Sequence, residues 1–262
     1  MAITKPLDIL AIFAHPGHEL RALHTLHQAR SGVVYLTDAS ASTGQSRVSM
    51  SEVTLRRSDI DVVPDFMPVA DADLYRAMMG GQTQLFTQMV DDIARLIDRC
   101  EPDFVLTDSA EGYNPAHDLC HFLVMTAADK SRHHPPVYDI ALNHDPLDFA
   151  HAAPESCIIH DLDAAAVSRK RVVIEDYTRA AGDMLRREAE GLLRQFGTQG
   201  QGREILRPSL TLTVYLRQFS KTPPFFESHG LKRVREGKYT ETLTMAHLRP
   251  LLNQLQNVSC VS

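Results

Sequence analysis

Hydrophobic positions along this chain of 262 residues follow two periods in turn. Asp8 to Ala14 is a short apolar run that stops at His15-Pro16, and Gly32 to Thr37 (GVVYLT) is a second, each of strand length. Between them Leu20, Leu23, Leu26 and Ala29 recur at helical spacing, with Ser31-Gly32 as the stop. The pattern returns at Phe86, Met89, Val90, Ile93, Leu96 and Ile97, an amphipathic helix within 86–100, followed by Pro102 and the strand-like DFVLTD of 103–108. Asn114-Pro115 has the form of an N-cap followed by proline at the first helical position, opening an apolar helix through Phe122, Leu123 and Met125. This alternation predicts an α/β sandwich with a mostly parallel sheet, whose ligands bind beyond the C-terminal ends of the strands. His15, Asp38 and the loop from Asp108 to His117 all follow strands at that edge.

Elsewhere the pattern is weaker. Residues 40–84 are polar and Gly-containing, and read as a long active-site loop holding one helix around Val48 to Arg57. A long charged helix is expected over Lys170 to Phe196, with Val173, Tyr177, Ala181, Met184, Leu185 and Leu192 as its apolar positions. LTLTVYL at 210–216 reads as a strand, followed by Pro223-Pro224-Phe225-Phe226 and a final helical stretch through Leu255. No repeat or linker divides the chain, so residues 1–262 are expected to form one domain, with 130–262 building the rim of the pocket.

Composition narrows the partners. An apolar fraction of 44% suits a packed core. A formal charge of −6, with Lys and Arg scattered or confined to short clusters such as Arg169-Lys170-Arg171, gives no basic stripe for nucleic acid. No apolar run approaches the roughly 20 residues of a bilayer span, and Met-Ala-Ile-Thr-Lys-Pro lacks a signal peptide's apolar stretch, which makes the cytoplasm the expected compartment. Cys100, Cys120, Cys157 and Cys260 are widely spaced without a C-x-x-C and are expected to be reduced.

The chemistry sits in two histidine-bearing stretches. In AHPGHE, Pro16 fixes the backbone directly after His15 and Gly17 removes side-chain bulk, so the chain can turn sharply and present both His15 and His18. Such a pair alone suits helix capping or buried hydrogen bonding as well as a metal. In GYNPAHDLCH at 112–121, His117 falls in the first helical turn and His121 one turn later on the same face. Three His nitrogens with an open fourth position would make a zinc site of the catalytic type, where the metal can hold and acidify a water.

Ala14-His15-Pro16-Gly17-His18-Glu19 resembles the AHPDDE signature of the PIG-L (LmbE-like) metal-dependent N-deacetylases, and NPAH at 114–117 resembles their HPDH. The likeness extends to Leu36-Thr37-Asp38 and to the Pro102-Asp103-Phe104-Val105 run, and so covers about the first half of the chain. It implies a Rossmann-like three-layer sandwich, and hydrolysis of an N-acyl group, usually acetyl, from an amino sugar. It implies His15 as first metal ligand, His18 in the place of the family's aspartate ligand, and His117 as last ligand. Zinc is the implied ion, with another divalent metal such as Fe2+ as an alternative; a homo-oligomer would be unsurprising.

Two departures follow. The family's general base is an aspartate at the position of Gly17, and the histidine and aspartate preceding the last ligand are Asn114 and Ala116 here. Candidates to supply acid–base chemistry are Glu19, whose family counterpart is more structural than catalytic, Asp118, as readily an exposed carboxylate complementing a helix start, and His121, as readily a core hydrogen-bonding group. Asp38 suits a turn better than the orientation of an imidazole. Tyr113 could donate to an oxyanion or pack in its loop, and Arg21 and Arg47 could clamp a substrate carboxylate or phosphate or be solvated. Three imidazoles without the aspartate leave the dication uncompensated and its water more acidic, so that less help from a base is needed. His24, His27, His133, His134, His144, His151 and His160 read as structural or surface residues. Two further readings are a metalloenzyme with non-hydrolytic chemistry at the same ion, and a non-catalytic relative that binds a glycan or sugar nucleotide.

Overall fold

The first apolar runs become the centre of a sheet. A computed structural model describes residues 7–40, 44–63, 66–145, 154–182 and 202–259. In it β1 (Ile9–Phe13) lies between β2 (Ser31–Tyr35) and β4 (Phe104–Asp108), parallel to both. With β3 (Asp61–Val62), β5 (Val137–Ile140), β6 (Ile158–Asp161) and β7 (Arg203–Pro208) they form a seven-stranded sheet in the order β3-β2-β1-β4-β5-β7-β6. The first five positions run parallel; β7 is antiparallel to both β5 and β6. The α/β class and the mostly parallel sheet are therefore as the periodicity predicts.

Alternation along β1 divides the core in two. Leu10 and Ile12 face the larger layer, made by α4 (Thr83–Cys100), α5 (Pro115–Lys130), α3 (Asp71–Met79) and α9 (Met245–Ser259). Ile9, Ala11 and Phe13 face the other layer, with Leu23 and Leu26 of α1 (Leu23–Gln28), Leu55 of α2 (Val48–Arg57) and Val173 of α6 (Ala164–Ala181). Near-continuous apolar strands are what burial on both faces demands.

Several expectations need correction. The 40–84 segment holds α2 where expected, but also β3 and α3, whose short lengths give little periodic signal. LTLTVYL is not a strand: Leu212–Gln218 is a helix, α7, in which Leu212 and Leu216, four apart, pack on the larger core and Tyr215 is fully buried. The preceding REILRP takes the place in the sheet instead, ending at Pro208. The charged helix starts earlier than expected, at Ala164, because the Asp163 carboxylate accepts the Ala166 N–H at 2.7 Å and caps it. Its expected continuation to Phe196, with Met184, Leu185 and Leu192, lies outside the described residues, as does His151. The C-terminal helical stretch is two helices, α8 (Phe225–Arg235) and α9.

One buried ion pair ties the C-terminal half to the first motif. Glu204 of β7 accepts the backbone N–H groups of His24 and Thr25 and the Thr25 hydroxyl, at 2.9, 2.7 and 2.7 Å, and so caps α1. Lys170 of α6 donates to Glu204 at 2.6 Å and to the Arg21 carbonyl at 2.8 Å. Both charges are buried and hydrogen-bonded, the condition for keeping such a pair in an interior.

Candidate active site at the sheet's switch point

Strand order reverses between β1 and β4, so the chain leaves these two neighbours in opposite directions and opens a crevice at their C-terminal ends. His15 follows β1, Asp108 ends β4, and His117 arrives from α5, which starts as predicted: Asn114 caps it by accepting the Ala116 N–H at 2.9 Å, with Pro115 in the first turn. Gly17 has φ of 106°, a region that disfavours side chains, and it precedes a single 3-10 turn (His18–Ala22) that brings His18 back toward His15. The three rings of His15, His18 and His117 meet edge to face. Their centroids are 5.3 Å apart for His15 and His18, 5.1 Å for His15 and His117, and 4.6 Å for His18 and His117.

Hydrogen bonding assigns two tautomers. Thr37 gives its hydroxyl proton to the Ala14 carbonyl, so at 2.7 Å it accepts from His15 Nδ1–H. His18 Nδ1 lies 2.9 Å from Asp108 Oδ1, while Asp108 Oδ2 accepts the Ala14 N–H at 2.7 Å. With Nδ1 the donor on His15, and on His18 when Asp108 is ionised, the Nε2 lone pairs of the two rings are left for a ligand. Burial, and then the neighbouring imidazoles, hold His18 and His117 well below the usual histidine range, in the neutral form that can bind a cation. Burial likewise pushes the Asp108 carboxyl up to about 7.

The donor set fits a divalent metal in kind: neutral imidazoles, one of them backed by a carboxylate. Among the described residues, however, no group of three or more His, Cys, Asp and Glu side chains stands as a ready-made metal cage. The rings pack on one another, and binding an ion would have to bring their nitrogens to a common point.

The other sequence-selected residues divide by location. Glu19 is fully buried below the turn; its Oε2 accepts the Gly17 N–H at 2.7 Å, and burial raises its carboxyl against the lowering effect of the Ser51 and Tyr35 hydroxyls. Asp118 is not an exposed carboxylate at a helix start. It is fully buried and accepts the Tyr215 hydroxyl at 2.6 Å and the Gly112 N–H at 3.1 Å, which pins α7 and the 109–114 loop to α5. His121 occupies the core position: Nδ1 faces the Asp108 carbonyl at 2.9 Å and Nε2 the Leu210 carbonyl at 2.8 Å, leaving no ring nitrogen for a substrate. Tyr113 is half-exposed beside the start of α5 and stacks on Phe225 at 4.8 Å. Arg21 donates to the Leu142 carbonyl. Arg47 stands near enough to His18 for its charge to depress that ring, and its buried Nε has no hydrogen-bond partner among the described residues. Asp38 serves the turn, accepting the Ser40 and Asp71 N–H groups at 3.0 and 3.2 Å.

Asp118 carries a pH prediction. Burial raises its folded carboxyl from 3.8 to about 7, so the folded state binds this proton more tightly than the unfolded chain does. Its contribution to stability is full below about pH 4 and is lost as pH rises through about 7. Asp118→Asn, which keeps an acceptor and cannot ionise, should show a smaller fall in urea midpoint between pH 5 and pH 8 than the wild type; equal falls would exclude Asp118 as the titrating group.

Sequence reasoning gave no site role to Thr37, Asp71, Asp108 or Tyr177. Asp108 was visible as an acidic residue closing a strand at the correct edge, but nothing local tied it to His18, 90 positions away. Asp71 lay inside a segment read as loop. Tyr177 reaches in from α6: a Cβ at Gly17 would stand 3.1 Å from its hydroxyl, which in turn accepts from Ser51 at 3.2 Å. A cleft of about 690 Å³ lined by Phe66, Met89, Leu96 and Arg99 contains none of the three clustered histidines and neither carboxylate behind them.

The fold and the site together define an α/β protein with a histidine cluster at the switch point of its sheet. No family model and no curated protein matches the sequence. Solved structures do share its fold. The A40926 pseudoaglycone deacetylase Dbv21 aligns with a TM-score of 0.53 at 19% identity, over 77% of this chain and 96% of its own. The zinc-inhibited form of teicoplanin deacetylase Orf2 gives 0.51 at 18%, over 76% and 97%. The conserved protein TT1542 from Thermus thermophilus gives 0.54 at 15%, over 78% and 95%. At these identities the likeness establishes a common fold.

Proposed function

We propose that this protein is a metal-dependent hydrolase of the PIG-L (LmbE-like) kind that removes an N-acyl group, acetyl in the first instance, from an amino sugar or sugar-like metabolite. The observation that carries the reading is the meeting of His15, His18 and His117, from two separated motifs, at the β1/β4 switch point. The shared fold with two deacetylases, one described in a zinc-inhibited form, supports it. Zinc is the favoured ion and Fe2+ the alternative; His15, His18 and His117 would hold it. When bound, it supplies a Lewis acid that acidifies water and polarises the amide carbonyl.

The chain's own residues do the rest. Asp108 fixes the His18 ring through Nδ1, and Thr37 fixes His15 in the same way. Arg47, with its buried Nε, and Arg21 set a positive rim that suits a substrate carboxylate or phosphate. Tyr113, exposed just before α5 and stacked on Phe225, would be the phenol donor to an oxyanion. Glu19 and Asp118 are engaged in holding the motif turn and the α5 loop.

The test is acetate release from a panel of N-acetylated amino sugars and N-acylated glycopeptide aglycones, with metal content measured on the same sample. Turnover of any member supports the hydrolase. Full metal occupancy with no turnover favours the second reading, non-hydrolytic chemistry at the same ion, to which the missing carboxylate at Gly17 already points.

A further inference from the structure

The two aspartates that the first motif lacks leave the histidine cluster without a carboxylate from its own loop, yet besides Asp108 another faces it from elsewhere. Asp71, at the first position of α3, is 4% exposed, and its Oδ1 lies 3.3 Å from His15 Nδ1, beside the Thr37 hydroxyl. Its charge also acts on His18 and His117. Its backbone is fixed: the Asp71 N–H donates to Asp38 Oδ1, and Asp38 N–H donates to the Val69 carbonyl at 3.0 Å, a link next to the bridge between Thr37 and Val69. Asp71 thus reaches the cluster from the far side of the 40–84 segment, held by the C-terminal end of β2.

We propose that Asp71 is a second carboxylate of this site beside Asp108: a positioning residue whose charge stands at the Nδ1 edge of His15, next to the Thr37 hydroxyl, and helps three neutral imidazoles take up a divalent cation. This rests on the metal reading given under the proposed function. The physical reason is charge: a dication placed among neutral rings in a buried crevice loses its hydration without compensation, and a fixed carboxylate at the outer edge of one ring restores part of it and makes that ring a better donor. Asp108 does the same for His18, so two of the three imidazoles each gain a carboxylate behind Nδ1.

The experiment compares full-length wild type, Asp71→Asn and Asp71→Ala, using Zn2+ in competition with a chromophoric chelator and the nitrogen NMR spectrum of the metal-free histidines. Asp71→Asn keeps an acceptor and loses the charge, so His15 should stay in its Nδ1–H tautomer while Zn2+ binding weakens about tenfold. Asp71→Ala loses both, and should weaken binding up to about 100-fold with altered His15 nitrogen shifts. Should Asp71→Ala fail to fold, Asp71→Asn alone decides through its affinity. Wild-type affinity in both variants overturns the role of Asp71 and leaves the metal reading standing. Absence of Zn2+ binding by the wild type overturns both.

Discussion

Purified without added ions, the wild-type protein should carry about one zinc or iron per chain, and His18→Ala and His117→Ala should each reduce that to below roughly one tenth. The reason is the ligand count. Three imidazoles meet, and the nearby His121 is not available to substitute, since both its ring nitrogens face carbonyls. That commitment also provides the control. His121→Ala should retain the metal but lose about 2–4 kcal/mol of stability, because a fully buried ring is removed from the core and the Asp108 and Leu210 carbonyls lose the ring nitrogens they face at 2.9 and 2.8 Å. Elemental analysis beside urea melts of the three variants separates the two classes. Metal that persists in His117→Ala would remove His117 from the site.

Gly17→Asp should not restore a family-like base. On sequence alone this substitution rebuilds the acidic position of the signature. The structure leaves it no room. Gly17 has φ of 106°, where a side chain is strained, and the added Cβ would meet the Tyr177 ring and hydroxyl at 3.1–3.4 Å. Glu19 also holds the Gly17 N–H, so the turn has little freedom to relax. The expected result is a loss of about 2–4 kcal/mol of unfolding free energy, read from a lowered denaturant midpoint, and no rise in kcat. Combining it with Tyr177→Ala, which vacates the space, should recover part of the lost stability, leaving only the backbone strain. A single Gly17→Asp variant with wild-type stability and raised kcat would show that Tyr177 yields readily.

The framework was legible because its signals are local. Apolar runs at 9–14, 32–37 and 105–108 are buried on both faces and have no other use than the middle of a sheet, and Asn114-Pro115 carries its own capping chemistry. The 210–216 stretch misled because β-branched and aromatic residues that favour strands also satisfy the four-residue spacing of a short helix; which wins depends on the core that Tyr215 enters, not on the stretch itself. At the site, the histidines were visible through motif spacing. The groups behind them were not. Thr37, Asp71 and Asp108 touch His15 or His18 only across separations set by sheet order, and Tyr177 reaches Gly17 from 160 positions away. A residue's availability was equally hidden: Asp118 and His121 have the residue types of acid–base groups, and only their partners reveal that they are spent on the loop and the core.

The cap on α1 has a consequence for the order of events in folding. Glu204 and Lys170 close the first helix of the chain across sequence separations of up to 180 residues. Such a contact forms late, since the entropy of closing so long a loop must be met before the contact returns anything. During synthesis, then, the AHPGHE turn leaves the ribosome long before the residues that clamp its far end exist. The far end of that turn is therefore closed only when β7 docks and Glu204 reaches the first N–H groups of α1.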